Sequence, residues 1–222
     1  ISGDYAVVGA RLDDDGGSNS GSAYVFKLVA LQNAKLVAGD AASEDRFGQS
    51  VSISGDYALV GAYADDDGAT NSGSAYIFIR SGTSWSQQAK LVADDAAASD
   101  YFGYSVSISG DYALVGAYQD DDGGTNSGSA YIFIRDGTSW SQQAKLVASD
   151  AARSDIFGYS VSISGDYALV GAHYDDDGGS ASGSAYIFIR DGTSWSQQAK
   201  LVAGDPGSND RFGESVSISG DY

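Results

Sequence analysis

The chain contains no cysteine, a single proline (Pro206) and a single histidine (His173) in 222 residues. Without cysteine, neither disulfides nor thiolate metal sites hold the fold together. One histidine leaves no histidine-based triad and no zinc site of the usual kind. No apolar run approaches the ~20 residues a membrane helix needs, so membrane insertion is not expected. Basic residues are scarce: the formal net charge is −18, which sets the chain against nucleic acid, whose phosphates it would repel. Glutamate is nearly absent too, with only Glu44 and Glu214. Aspartate bonds back to nearby amides and favours turns, where glutamate would favour helix. The chain opens on "ISGDY" rather than on methionine and reads as a processed protein or an excised piece.

What is abundant is repetition. "ISGDY" occurs at Ile1, Ile53, Ile108, Ile163 and Ile218, with spacings of 52, 55, 55 and 55 residues. "FG" recurs at Phe47, Phe102, Phe157 and Phe212, and "AKLVA" at Ala34, Ala89, Ala144 and Ala199. The first period is shorter because "KLVALQNAK" stands where the second copy has "IRSGTSWSQQAK". A fixed period of this size means an array of equivalent units.

Each unit offers four strand-like pieces. In the third copy "YSVSIS" (Tyr104–Ser109) alternates apolar and small polar residues, as a pleated strand does. "SGDY" supplies a hairpin turn, and "YALVGA" (Tyr112–Ala117) is apolar on both faces. "SAYIFIR" (Ser129–Arg135) and "WSQQAKLVA" (Trp140–Ala148) follow, joined by "DGTS". No segment has a helical period. Strands apolar on both faces are covered on both faces, and a four-stranded unit of about 50 residues that stacks on its neighbours is a propeller blade. The expected fold is an all-β β-propeller of four-stranded antiparallel blades, one domain over 1–222. Three blades span about 47–93, 102–148 and 157–203, and a fourth combines 5–38 with 212–219, so that "FGESVSIS" closes the ring beside Tyr5–Ala10. Phe102, Val106, Ile108, Leu114, Val115, Tyr131 and Phe133, with their equivalents, are the expected core.

"FGYSVSISGDYALVGA" (Phe102–Ala117) resembles the FG-GAP repeat of integrin α-subunit propellers and their bacterial relatives, in four registers that cover essentially the whole chain. The resemblance implies an extracellular, secreted or cell-surface blade array serving adhesion or protein–protein contact; the residues themselves, with one histidine and serines that have no base to activate them, point to a non-enzyme. Two departures stand out. The proline of "GAP" is replaced by Arg11, Tyr63, Tyr118 and His173. The calcium loop that such blades often carry before the "LVGA" strand is reduced here to a tight turn with one aspartate (Asp56, Asp111 or Asp166).

Calcium is therefore sought in the next loop, "DDDG". Calcium loops space their side-chain ligands at alternate positions, which selects Asp13 and Asp15, Asp65 and Asp67, Asp120 and Asp122, and Asp175 and Asp177. Asn126, Ser127 and backbone carbonyls would add oxygens, although the last copy has Ala181 in place of the asparagine. The alternative is a solvated turn closed by glycines. A second acidic set, Asp40/Asp45, Asp95/Asp100, Asp150/Asp155 and Asp205/Asp210, brackets the connection from "KLVA" to "FG". Paired carboxylates suit acid–base catalysis, but repetition at equivalent sites points to loop caps. Trp85, Trp140 and Trp195 open the fourth strands, where indoles either cover a blade edge or stack on sugars, the glycan-binding alternative. Lys35, Lys90, Lys145 and Lys200 read as edge-strand charges that discourage aggregation. The expected partner is a protein or cell surface met through multivalent display, and the rival role is self-assembly into a filament or surface layer.

Overall fold

A computed structural model describes residues 1–28 and 31–220; the altered "KLVALQNAK" segment runs through Val29 and Ala30, and the final "ISGDY" ends in Asp221 and Tyr222, all outside that range. The described residues form antiparallel sheets and no helix, so none is long and apolar enough to cross a membrane. The first sheet has three strands, β1 (Tyr5–Ala10), β2 (Ser22–Lys27) and β3 (Leu31–Leu36). The second is β4 (Val51–Ser54), β5 (Tyr57–Ala62), β6 (Ser74–Ser81) and β7 (Ser84–Leu91). The third is β8 (Ser105–Ser109), β9 (Tyr112–Ala117), β10 (Ser129–Asp136) and β11 (Ser139–Leu146). The fourth is β12 (Ser160–Ser164), β13 (Tyr167–Ala172), β14 (Ser184–Asp191) and β15 (Ser194–Leu201). In each, strands pair in chain order, the up-and-down meander of a propeller blade.

The turns follow from residue type. Ser109 pairs with Tyr112 across Gly110–Asp111, with Gly110 at φ 57°, a two-residue hairpin that needs glycine at its first central position. Apolar residues on both faces of the second and third strands are buried between sheets. Phe102, Leu114, Val115 and Tyr131 are fully buried, and Phe133, Val106 and Ile108 nearly so. The ring of Phe157 meets Tyr186 and Phe188 edge-on at 5.4 and 6.0 Å.

Neighbouring blades are joined by polar contacts as regular as the sequence. The serines of "SVSIS" accept amides from the next blade's first strand: Val106 and Ile108 donate to Ser50 and Ser52 Oγ at 3.0 and 3.1 Å. Trp140 lies edge-on to Tyr57 of the preceding blade, 6.2 Å between centroids, and its Nε1 donates to Gln88 Oε1 at 3.0 Å. Trp85 and Trp195 repeat this on Tyr5 with Asn33 and on Tyr112 with Gln143. The indoles are thus packing anchors between blades. A register shift opposite Ile132/Phe133 explains the glutamine doublet. Gln142 Oε1 accepts the Asp94 amide of the preceding blade at 3.0 Å, while Gln143 Oε1 serves Trp195 of the following one.

Closure of a four-bladed ring by 212–219 is not present. Residues 212–219 form no strand, and β1 pairs with β2 alone. Val8 is 51% exposed where its equivalent Val60 is fully buried, and Phe212 is 37% exposed where Phe157 is buried. Instead, Ile218 and Gly220 donate to Ser162 and Ser164 Oγ, each at 3.1 Å, the bonds a following blade's first strand would make. The last segment is thus laid against the fourth blade's first strand rather than beside β1.

Candidate functional site

The "DDDG" loop and the "KLVA"-to-"FG" connection meet at the same end of every blade, because the second strand enters that end, the third leaves it and the fourth returns to it. They are hydrogen-bonded to each other through backbone groups, for example Ser154 N–H to the Thr125 carbonyl at 2.9 Å. The three carboxylates of "DDDG" do three different things. Asp120 is 3% exposed. Its Oδ1 accepts the Asp122 amide at 3.1 Å and the Ser129 hydroxyl at 2.9 Å, and its Oδ2 accepts the Tyr131 hydroxyl at 2.8 Å. Asp121 Oδ1 accepts the Asn126 amide at 2.7 Å and so ties the loop shut. Asp122 is exposed and reaches Lys145 Nζ at 2.5 Å.

The first and third carboxylates therefore do point the same way, as alternation predicts, and a further one joins them. Asp95, from the connection that leaves the preceding blade, reaches the same lysine. Asp95, Asp120 and Asp122 place one oxygen each within 4.8 Å of one another, as do Asp40, Asp65 and Asp67, and Asp150, Asp175 and Asp177. At the focus stands an ammonium: Lys145 Nζ lies 2.7 Å from Asp95 and 2.9 Å from Asp120. Lys200 stands 2.8 Å from both Asp150 and Asp175, and Lys90 bonds Asp40, Asp65 and Asp67. In the first blade Lys35 bonds Asp13 and Asp15. The lysines are thus counter-ions, not edge guards. Burial by itself would lower the Lys145 pKa, but its bonds to Asp122, Asp95 and Asp120 outweigh burial and raise it. Burial would raise Asp120, and the Lys145 bond leads the contributions that hold it below the ordinary carboxylate range.

A divalent ion would have to share these oxygens with the ammonium, and Asn126 and Ser127 are not arranged as further ligands. Asn126 holds the left-handed turn, φ 55°, and Ser127 Oγ accepts the Gly123 amide at 3.0 Å. The spacing of the three triads could hold a metal ion, but a calcium ion would have to displace the lysine.

The other half of the second acidic set caps the connection. Asp100 Oδ2 accepts the Ala97 amide at 2.7 Å, and Asp45 and Asp155 do the same for Ala42 and Ala152. Burial pushes all three carboxyls up to about 6, the amide bond offsetting only part of it. Between the ordinary value of 3.8 and about 6 the folded chain holds protons that the unfolded chain releases, so these groups lower stability as pH rises through that window. His173, which burial lowers, opposes them as one group against three. Asp13, Asp40, Asp120 and Asp175, which are held low, lose their stabilisation only as pH falls below 3.8. The melting midpoint is expected to be highest near about pH 4 and to fall toward about pH 7. Asp100→Asn is expected to flatten that slope. A midpoint that climbs from pH 4 to 7 would contradict the assignment.

The asparagine position makes a separate prediction. Asn19, Asn71 and Asn126 sit at φ 53–55°, and Ala181 takes the same conformation at φ 49°. Asparagine tolerates the left-handed region and alanine does not. Ala181→Asn is expected to gain about 1 kcal/mol, read as a higher urea midpoint; a loss would mean that the buried methyl matters more than the backbone.

One feature of this end had no reading in the sequence. The residues replacing the proline of "GAP" join those flanking "FG" in a continuous aromatic strip across three blades. Tyr63 meets Tyr101 and Tyr104 at 5.6 and 5.5 Å, and Tyr104 meets Tyr118 and Tyr159 at 4.5 and 4.9 Å. Tyr159 meets His173 at 4.2 Å, and His173 meets Tyr174 at 4.7 Å, over whose ring lies Arg211. The rings are mostly half-buried. The signal was the pattern of differences between copies, which collects tyrosine at these positions.

Four-stranded meander blades joined by repeated junctions define a propeller-type repeat protein. The chain belongs to the FG-GAP repeat family, whose sequence model matches residues 1–26, 31–78, 85–133, 140–188 and 195–222, most of the chain. A comparison with curated proteins gave no match.

Proposed function

We propose that the chain is a non-enzymatic protein-interaction scaffold, exposed outside the cell and used for adhesion, whose contact surface is the "FG" end of the blades. One observation carries this. The copies beginning at Phe47, Phe102 and Phe157 are nearly identical, yet all but one of their differing positions lie at that end, the exception being Ser81, Asp136 and Asp191. Apart from that one position, the opposite end and the strands repeat unchanged. The strands packed at every junction stay the same, whereas the "FG" end, where rings of neighbouring blades also touch one another, tolerates difference, as an exposed contact surface does. There the differences build the tyrosine strip, and tyrosines provide broad amphipathic contact at low entropic cost.

The test is adhesion of beads coated with the chain to a panel of cell and matrix surfaces. A Tyr104→Ser, Tyr118→Ser, Tyr159→Ser chain is expected to lose at least about tenfold in bound beads, as a few aromatic anchors carry most of an interface. An Asp136→Ser, Asp191→Ser chain, altered at the opposite end, is expected to bind as the native chain does. Equal binding by both variants, or none by the native chain, would overturn the reading.

Self-assembly is a second reading, favoured by the unpaired edge of β1 and the unpaired segment 212–219. In the register of Val51 opposite Val60, a strand lent by one chain would set Val216 against Val8 of another. Filaments in electron micrographs of the purified chain would support it; a monodisperse monomer would remove it.

A further inference from the structure

We propose that Lys90, Lys145 and Lys200 are themselves the resident cations of the acidic triads, so that the native triads take no divalent ion, and that removing one ammonium leaves a calcium site in its place. The inference is independent of what the aromatic strip contacts.

An ammonium has three donors and no acceptor, and Lys145 Nζ faces three carboxylates, Asp95, Asp120 and Asp122, at 2.7, 2.9 and 2.5 Å. Every donor has an acidic partner and none is left over. Lys200 repeats the arrangement at 2.8, 2.8 and 2.5 Å from Asp150, Asp175 and Asp177.

The lysine is also built in. Its side chain is only 18% exposed, and Nζ lies over the Tyr131 ring at 5.2 Å. Tyr131 also bridges the triad: its hydroxyl lies 3.0 Å from Asp95 Oδ1 and 2.8 Å from Asp120 Oδ2. The phenol and the ammonium thus hold Asp95 of one connection against Asp120 of the next blade, fastening a junction at its outer side.

Three carboxylate oxygens within 4.8 Å of one another repel unless a cation stands among them. The chain supplies one from its own fourth strand, and a second cation at the same focus would face it directly. Take the ammonium away and the triad carries three uncompensated charges, with oxygens as a hard divalent ion requires. Water and the freed volume of the side chain complete the shell.

The experiment compares the native chain, Lys145→Ala and Lys145→Arg by thermal melting in chelator and in calcium chloride, and by terbium luminescence sensitised through Tyr131. The exposed Asp66, Asp121 and Asp176 are common to all three chains, so differences between them report the triad. The native and arginine chains are expected to melt at the same midpoint with and without calcium and to show no saturable terbium signal. The alanine chain is expected to melt lower in chelator, to recover in calcium by mass action, and to show a saturable terbium signal that the native chain lacks. Calcium-dependent melting or saturable terbium binding by the native chain would overturn the resident cation. An alanine chain as stable as the native one in chelator would overturn it too. An alanine chain that calcium does not rescue, or that folds in neither condition, would overturn the latent site.

Discussion

Gly116→Ala is expected to cost at least about 3 kcal/mol, the upper end of the range for forcing extra volume into a packed interior, for the sake of one methyl group. Gly116 is the middle residue of the "VGA" of the third blade, and a Cβ there would stand 2.0 Å from the carbonyl oxygen of Gly158 in the next blade and 2.4 Å from Ser105 Oγ. Gly158 belongs to the following "FG", and its own amide donates to the Gly171 carbonyl at 3.0 Å. The two glycines of the repeat thus form a backbone-to-backbone relay from blade to blade. Main chain cannot rotate out of the way as a side chain can, so the methyl forces the blades apart and strips the buried aromatics beneath them of contact. Gly110→Ala is the control: nothing lies within 4 Å of its Cβ, and only its φ of 57° resists. That change is expected to cost about 1 kcal/mol. Urea midpoints of the two variants separate steric clash from backbone strain, and equal losses would mean that the relay is not a constraint.

Phe157→Ala is the second large effect, expected at about 3–5 kcal/mol, as for other buried aromatic truncations. The ring is fully buried against Tyr186 and Phe188 of its own blade, and its residue bridges Gly183's counterpart in the preceding blade, Gly128. Its loss leaves a cavity at the point where two blades are seated. Phe212→Ala, at the equivalent position but 37% exposed, is expected to cost far less. A loss below about 1 kcal/mol for Phe157→Ala would make "FG" a surface motif.

The fold was largely legible because its periodicities are local. Alternation in "SVSIS", apolar faces on both sides of "YALVGA", and glycine in "SGDY" each follow from one strand or one turn, and the strands lie where those signals place them. Closure was not legible. It depends on the rotation accumulated over several junctions, and no residue in "FGESVSIS" records whether the partner strand is within reach. The site was half legible. Alternation brings Asp120 beside Asp122 within one loop, but Asp95 arrives from the previous blade and Lys145 from a strand 23 residues beyond Asp122. Both read as something simpler in isolation, a loop cap and an edge charge, and only their convergence shows an ion cluster. The tyrosine strip was hidden for the same reason, since Tyr104 and Tyr118 stand at the two ends of one hairpin and Tyr159 comes from the next blade.

The acidic loops are neutralised from within, which leaves the tyrosines at the same end free for contact. The most direct measurement is a crystal structure of the native chain grown in calcium chloride. The account predicts Lys145 Nζ within hydrogen-bonding distance of Asp95, Asp120 and Asp122, with no ion among them. A calcium ion ringed by six to eight oxygens at about 2.3–2.6 Å, with the lysine swung into solvent, would contradict it.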